Sequence, residues 1–157
     1  MINNIENIFP YHHALLDREA TGHVKTARMK LIPEIPDYNL KESDRQSIAK
    51  HDEGFEVATI KRFDDFRKTI DIAVVNFIKM DIEGAEYHAL EGMKDTLAQE
   101  KPKILLSVHP SKLKSFKKTQ KDLFQLLNSY DYRYEVVGRR SLQKGQSSQA
   151  NYSLFCY

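Results

Sequence analysis

The hydrophobic pattern of this chain changes abruptly within residues 76–97, NFIKMDIEGAEYHALEGMKDTL. An apolar run over residues 73–80 breaks at an acidic, glycine-containing elbow at residues 81–84. Helical spacing follows at once, with four apolar side chains on one face: Ala89, Leu90, Met93 and Leu97. The pattern therefore predicts a buried strand, a tight turn and a helix.

The carboxyl end of that predicted strand is where chemistry is expected. In α/β sheets, ligands bind in the crevice outside the carboxyl ends of the strands, so Asp81 and Glu83 are candidate catalytic residues. Gly84 suits a turn or a close approach of the backbone to a ligand. The alternative is helix capping by Asp81, Glu83 and Glu86, and spacing alone favours it, because acids are common at helix N-termini. The two roles are compatible.

A second apolar run, ILLSV at residues 104–108, is typical of a strand buried on both faces. Two such runs separated by a helix predict a parallel βαβ unit with a right-handed crossover. His109 follows the second strand, at the sheet edge that also carries Asp81, where an imidazole is suited to acid–base chemistry near neutral pH. A structural role is the alternative for a single histidine in a loop.

The segments before the elbow predict short elements. A short strand is predicted within residues 2–16, ending near His13 and Ala14, and is followed by a polar turn at 17–22. The remaining predictions are an extended segment at 23–31, a long polar loop at 34–54, a strand at 55–60 and a short helix at 64–70.

The C-terminal third predicts a helix and a hairpin. Thr119 and Asp122 have the spacing of a capping box for a helix that ends near Asn128. Residues 132–137 and 152–157 are predicted to form an antiparallel hairpin at the sheet edge, around a polar loop at 138–151. The basic run after His109 is interpreted as a solvated face, with a lip that attracts anionic substrates as the alternative: Lys112, Lys114, Lys117, Lys118 and Lys121.

Composition and net charge argue against several classes of binding partner and site. A net charge of +2, from 24 basic and 22 acidic residues, is too balanced for a nucleic-acid-binding face. Cys156 is the single cysteine, which fits a reducing compartment, and no signal peptide or apolar run of membrane-spanning length occurs. A soluble, cytoplasmic protein without a membrane partner is expected. No metal site is predicted, because the histidines do not have a metal-ligand spacing and there is one cysteine.

The elbow also carries a family resemblance. FIKMDIEGAEYHALEGM, at residues 77–93, resembles the K-[IM]-D-[IV]-E-G-[AS]-E-x-x-[AV]-L-x-G signature of the FkbM family of S-adenosyl-L-methionine-dependent methyltransferases. Three other segments look like that family more weakly: KPKILLSVHP, NIENIFPYHHALLD and VATIKRFDDF. The resemblance implies an α/β fold: a Rossmann-like class I methyltransferase sheet with helices on both faces and a C-terminal antiparallel hairpin.

The same resemblance implies a reaction and residue roles. Methyl transfer from S-adenosyl-L-methionine is expected, to oxygen of a small-molecule or glycan-like acceptor. Asp81 would face donor and acceptor, and Glu83 or His109 would take the proton. His13 and Ala14 fall where such folds line the adenine pocket.

One part of the family pattern is not matched. The chain begins at about the third strand of the family, and no glycine-rich nucleotide loop occurs in it. We therefore expect residues 1–157 to form one incomplete methyltransferase domain that lacks the first two strands and binds the cofactor weakly or not at all alone. The alternative is a non-catalytic remnant or subunit that associates through its open sheet edge, with itself or with a polypeptide that supplies the missing strands.

Overall fold

The computed structural model describes residues 8–25, 30–33, 55–137 and 150–157. Within these ranges the chain has a mixed α/β architecture with eight strands in two sheets and five α-helices. The strands are β1 (His13–Leu15), β2 (Ala20–Lys25), β3 (Lys30–Pro33), β4 (Phe55–Lys61), β5 (Phe77–Met80), β6 (Lys103–Val108), β7 (Tyr134–Val137) and β8 (Tyr152–Cys156). The helices are α1 (Phe63–Thr69), α2 (Glu86–Glu91), α3 (Lys94–Gln99), α4 (Pro110–Leu113) and α5 (Gln120–Ser129), with a 3₁₀ turn at Lys114–Phe116.

The first sheet has the strand order β1-β4-β2-β3. β1 lies parallel to β4, and β2 pairs antiparallel with both β4 and β3. The single extended segment predicted at residues 23–31 is therefore wrong. The polar turn predicted at 17–22 is shorter than predicted, because Ala20 already pairs with Ile60. Backbone partners on both sides of β2 outweigh the low strand propensity of Gly22.

The second sheet has the order β5-β6-β8-β7 and carries the predicted site. β5 and β6 are parallel, which confirms the predicted parallel βαβ unit. β8 pairs antiparallel with both β6 and β7, which confirms the C-terminal hairpin. Within the described ranges, β5 pairs on one side only and forms an edge of this sheet.

β5 is shorter than the apolar run at residues 73–80 predicts. Side chains occupy the backbone groups that precede it: Arg67 Nη2 donates to the carbonyl oxygens of Ile72 and Ala73, at 3.1 and 3.0 Å. The Val75 amide donates to Glu100 Oε2 at 2.6 Å. These groups are satisfied without a strand partner, so regular pairing begins only at Phe77.

The single helix predicted after the elbow is divided into α2 and α3 at Gly92 and Met93. The chain leaving β1 passes against this break: a Cβ atom added to Gly92 would lie 2.0 Å from the Leu16 carbonyl oxygen. The buried carboxylate of Asp64 then accepts hydrogen bonds from the Asp95 and Thr96 amides at the start of α3. All four side chains predicted on the apolar face are nevertheless buried.

The main core lies between the second sheet and helices α2, α3 and α5. Six of its fully buried side chains are Leu90, Leu97, Ile104, Leu106, Leu123 and Leu154. Burial of a leucine of this kind stabilises the fold by about 1.5–3 kcal/mol relative to exposure. The capping box predicted for α5 is confirmed: the Asp122 amide donates to Thr119 Oγ1, and the Thr119 amide donates to Asp122.

Two predicted loops cannot be compared with the structure in full. Residues 34–54, and 138–149 of the loop predicted at 138–151, lie outside the described residues. No helix in the described part of the chain is both long and apolar enough to cross a membrane.

Candidate functional site

The acidic elbow between β5 and α2 adopts a left-handed backbone. Glu83 has φ of 59° and Gly84 has φ of 107°, so the chain reverses within two residues and α2 begins at Glu86. A Cβ atom on Gly84 would lie 2.7–2.8 Å from the backbone of Lys112. The elbow therefore packs directly on α4, and this contact requires glycine.

The parallel register of β5 and β6 brings the three predicted catalytic residues together. Met80 is level with Leu106, so Asp81 and His109 lie at the same edge of the sheet. His109 Nε2 lies 3.4 Å from Asp81 Oδ1 and 3.6 Å from Glu83 Oε1. The imidazole is buried, whereas the Asp81 side chain is half exposed, so the cluster opens to solvent on the Asp81 side.

Glu86 is a further member of this cluster, one to which the sequence assigned only a capping role. It is fully buried, and its Oε1 accepts a hydrogen bond from the Gly84 amide at 3.0 Å. The same oxygen lies 2.7 Å from His109 Nδ1. Glu86 therefore fixes the orientation of the His109 ring, and the only sequence signal for this was the third acid of the elbow.

Two lysines form ion pairs with Asp81 and Glu83, each through the carboxylate oxygen that lies farther from His109. Lys79 Nζ lies 3.4 Å from Asp81 Oδ2. Lys112 Nζ pairs with Glu83 Oε2. Each carboxylate thus directs one oxygen to a lysine and the other towards His109.

Most of the basic run lies outside the site. Lys114, Lys117 and Lys121 are exposed, and Lys118 Nζ lies 3.9 Å from the centre of the Tyr87 ring. Lys112 is the one member of the run that contacts the described elbow residues. The solvated-face interpretation therefore accounts for the other lysines.

A cavity of about 740 Å³ runs along β5 and the start of α2. Its lining includes His13, Ala14 and Asp81, the three residues that the family resemblance assigns to cofactor binding. The rest of the lining is mainly apolar, and His13 Nδ1 is buried without a hydrogen-bond partner in the described residues. Small-molecule sites of roughly 300–1,000 Å³ have this combination of apolar walls and few polar groups.

A second histidine, His88, is held by structural contacts. Its Nδ1 lies 3.2 Å from Asp17 Oδ2, and its Nε2 lies 3.1 Å from the Phe116 carbonyl oxygen. Burial acts to raise the pKa of Asp17, but hydrogen bonds from Arg18 and His88 outweigh it and lower that pKa below its ordinary value. His88 thus joins the chain after β1 to the 3₁₀ turn.

Comparisons with known proteins address the family directly. Residues 15–134 match the Methyltransferase FkbM domain, and no curated protein sequence matches significantly. A solved structure with similarity is the methyltransferase FkbM from Methylobacillus flagellatus KT, at 24% sequence identity and a TM-score of 0.41. The similarity covers 64% of this chain and 24% of that chain, which is too little to establish a shared fold. The domain match spans well over half of the 157 residues and agrees with the mixed α/β architecture, so the chain belongs to the FkbM methyltransferase domain family.

Proposed function

We propose that this chain carries acceptor-side residues of an S-adenosyl-L-methionine-dependent methyl transfer to oxygen of a small-molecule or glycan-like acceptor. The observation that carries the proposal is the convergence of Asp81, Glu83 and His109 beside the cavity, at the carboxyl ends of two parallel strands. Family membership supports methyl transfer as the reaction class. The Rossmann-like arrangement and a cytoplasmic location without nucleic-acid partners belong to the same proposal.

The cavity fits the adenosine portion of the cofactor in size and polarity. S-adenosyl-L-methionine supplies an electrophilic methyl group when bound. His13 Nδ1 offers a buried polar atom that needs a partner, and Asp81 offers carboxylate oxygens at the mouth of the cavity. No glycine-rich nucleotide loop occurs in the sequence, so we expect this chain alone to bind the cofactor weakly.

The proton of an acceptor hydroxyl must leave as its oxygen is methylated. Asp81 would orient that hydroxyl; its carboxylate is half exposed and lies next to the His109 ring, which supports this role. Nε2 of His109 or the Glu83 carboxylate would accept the proton. Because Glu86 holds the other ring nitrogen, the base is already oriented before the acceptor binds.

Cofactor binding is tested by NMR titration of the chain with millimolar S-adenosyl-L-methionine. We expect shift changes at His13, Ala14 and the end of β5, which His13→Ala reduces and the exposed matched control His12→Ala does not. No shift changes along the cavity, or equal effects of the two substitutions, would contradict the proposed site. Micromolar affinity would support the cavity and overturn the expectation of weak binding.

The second candidate function is self-association through the edge of β5. Val74 and Phe77 are 60% and 54% exposed along an edge that no described strand covers. An exposed apolar edge is a template for strand pairing with another chain.

Size-exclusion chromatography with light scattering tests this second candidate. A dimer that Phe77→Lys weakens is expected. Val136→Lys is the matched control, since Val136 is exposed on β7 at the opposite edge of the same sheet. A monomer at all concentrations would rule out self-association.

A further inference from the structure

We propose that Asp81, Glu83 and His109 bind a divalent transition-metal cation of the Zn²⁺ type. This inference departs from the prediction of no metal site, which was based on the spacing of the histidines and the single cysteine. The ligands here come from the ends of two strands and from the elbow, so their proximity has no signature in local spacing.

The separations of the three ligand atoms suit a shared cation. His109 Nε2 lies 3.4 Å from Asp81 Oδ1 and 3.6 Å from Glu83 Oε1, and all three atoms lie within 4.8 Å of one another. These distances are longer than the usual N–H···O hydrogen bond. Two ligands on a tetrahedral Zn²⁺ with bonds of about 2.1 Å are about 3.4 Å apart.

The lysine contacts leave the two carboxylate oxygens nearest His109, here called the inner oxygens, available to bind a cation. Lys79 pairs with Asp81 Oδ2 and Lys112 pairs with Glu83 Oε2, so Oδ1 and Oε1 are the oxygens directed at His109. The lysines also offset part of the negative charge of the elbow. A cation bound at the inner oxygens would not need to displace either lysine.

The buried histidine is a second observation that favours a cation at this cluster. His109 is 5% exposed, and its Nε2 makes no hydrogen bond to the described residues although it points at two carboxylate oxygens. An unprotonated Nε2 and a carboxylate oxygen are both hydrogen-bond acceptors, so atoms that face one another in this way require a proton or a metal between them. Glu86 Oε1 lies 2.7 Å from the other ring nitrogen, and metal-bound histidines commonly direct their second nitrogen to a carboxylate in this way.

One imidazole nitrogen and two carboxylate oxygens form a donor set typical of Zn²⁺, Mn²⁺ or Fe²⁺, and three protein ligands leave a coordination position for water or substrate. Cation binding does not depend on the proposed methyl transfer. If both hold, His109 Nε2 is a ligand rather than the proton acceptor. An acceptor hydroxyl at the open position would then lose its proton more readily, to solvent water on the half-exposed Asp81 side.

The chain offers an internal comparison. Asp17, His88 and Glu91 also bring ligand atoms within 4.8 Å of one another. Both Asp17 oxygens accept hydrogen bonds from the Arg18 guanidinium, and Oδ2 also lies 3.2 Å from His88 Nδ1, so this second group is not expected to bind a cation.

The direct test is calorimetric titration of the chelator-treated chain with Zn²⁺, and optical titration with Co²⁺. We expect one saturable site, weakened about 10- to 100-fold by Glu86→Gln and at least as much by Asp81→Asn or Glu83→Gln. The control Glu91→Gln should bind like the wild type. Absence of saturable binding by the wild type, or an equal loss in the Glu91→Gln variant, would overturn the proposal.

A measurement on the wild type alone guards against variants that fail to fold. In ¹⁵N-histidine spectra, Zn²⁺ should shift the ring resonances of His109 and leave those of His88 unchanged. If His109 responds to pH but not to Zn²⁺, a proton fills the cluster and the metal proposal is wrong. Neither measurement needs S-adenosyl-L-methionine, so failure here leaves the cofactor test unaffected.

Discussion

Glu86 and His109 are joined by a 2.7 Å contact between Oε1 and Nδ1, which ties the first turn of α2 to the end of β6. Glu86→Ala would leave the His109 ring nitrogen and the Gly84 amide without their shared partner. Each buried unsatisfied group costs about 1–3 kcal/mol, so for these two groups we expect the free energy of unfolding to fall by about 2–6 kcal/mol. Urea denaturation measures this change.

The matched control for Glu86 is Glu91, at the other end of α2. Glu91 is partly exposed and accepts a hydrogen bond from the Tyr87 hydroxyl at 3.0 Å. Glu91→Ala should cost less than about 1 kcal/mol, because water can replace this contact. Equal losses of stability in the two variants would show that the contact between Glu86 and His109 adds nothing specific.

The elbow glycine gives a second prediction. Gly84→Ala places a side chain at φ of 107° and a Cβ atom 2.7 Å from the Lys112 backbone, so both the backbone conformation and the packing are unfavourable. The left-handed backbone alone costs roughly 1–2 kcal/mol, and the clash adds to it. We expect the unfolding temperature of the Gly84→Ala variant to lie well below that of Ser111→Ala, a control on the exposed side of α4. An unchanged unfolding temperature would contradict the close packing of the elbow on α4.

The parts of the site that the sequence predicted are those set by local pattern. The apolar runs at residues 73–80 and 104–108 predicted parallel strands, and parallel strands place Asp81 and His109 at one edge. The inward direction of Glu86 was not predictable, because it depends on the position of a histidine 23 residues away. The acidic residues of the elbow would give the same sequence pattern whether a side chain caps the helix in solvent or points inward to the site.

The fold departed from prediction where distant backbone decides local structure. The break between α2 and α3 follows from the passage of the Leu16 carbonyl against Gly92, 76 residues later in the chain. β2 contains glycine and polar residues, and it becomes a strand because β4 and β3 flank it. Neither of these tertiary contacts can be recognised from the hydrophobic periodicity of the segment that it affects.

Acid should weaken the fold through Glu100. The Val75 amide donates to Glu100 and, with the Arg67 guanidinium, lowers the pKa of this carboxyl below its ordinary value of 4.5, against the effect of burial. A carboxyl with a lower pKa in the folded state stabilises above its ordinary pKa, and the contribution is lost as the pH falls through the folded value. We therefore expect the free energy of unfolding to decline from about pH 5 downwards.

Substitution at Glu100 tests this pH dependence. Glu100→Gln should reduce the slope of stability against pH on the acid side, as measured by urea denaturation at several pH values. Glu135→Gln, on the exposed face of β7, is the control and should leave the slope unchanged. Equal slopes in the wild type and the Glu100→Gln variant would exclude Glu100 as a source of acid sensitivity.

The buried thiol of Cys156 provides the last prediction. Cys156 is fully buried in β8, between Ile104 of β6 and Tyr134 of β7, and burial raises its pKa to about 12. Because the thiolate is the reactive form, the native protein should react with a chromogenic disulfide reagent only when β8 opens. The rate should rise steeply with urea. C156A/Y157C is the control, since Tyr157 is half exposed, and it should react without denaturant; equal rates for the two proteins would mean that β8 does not enclose the thiol.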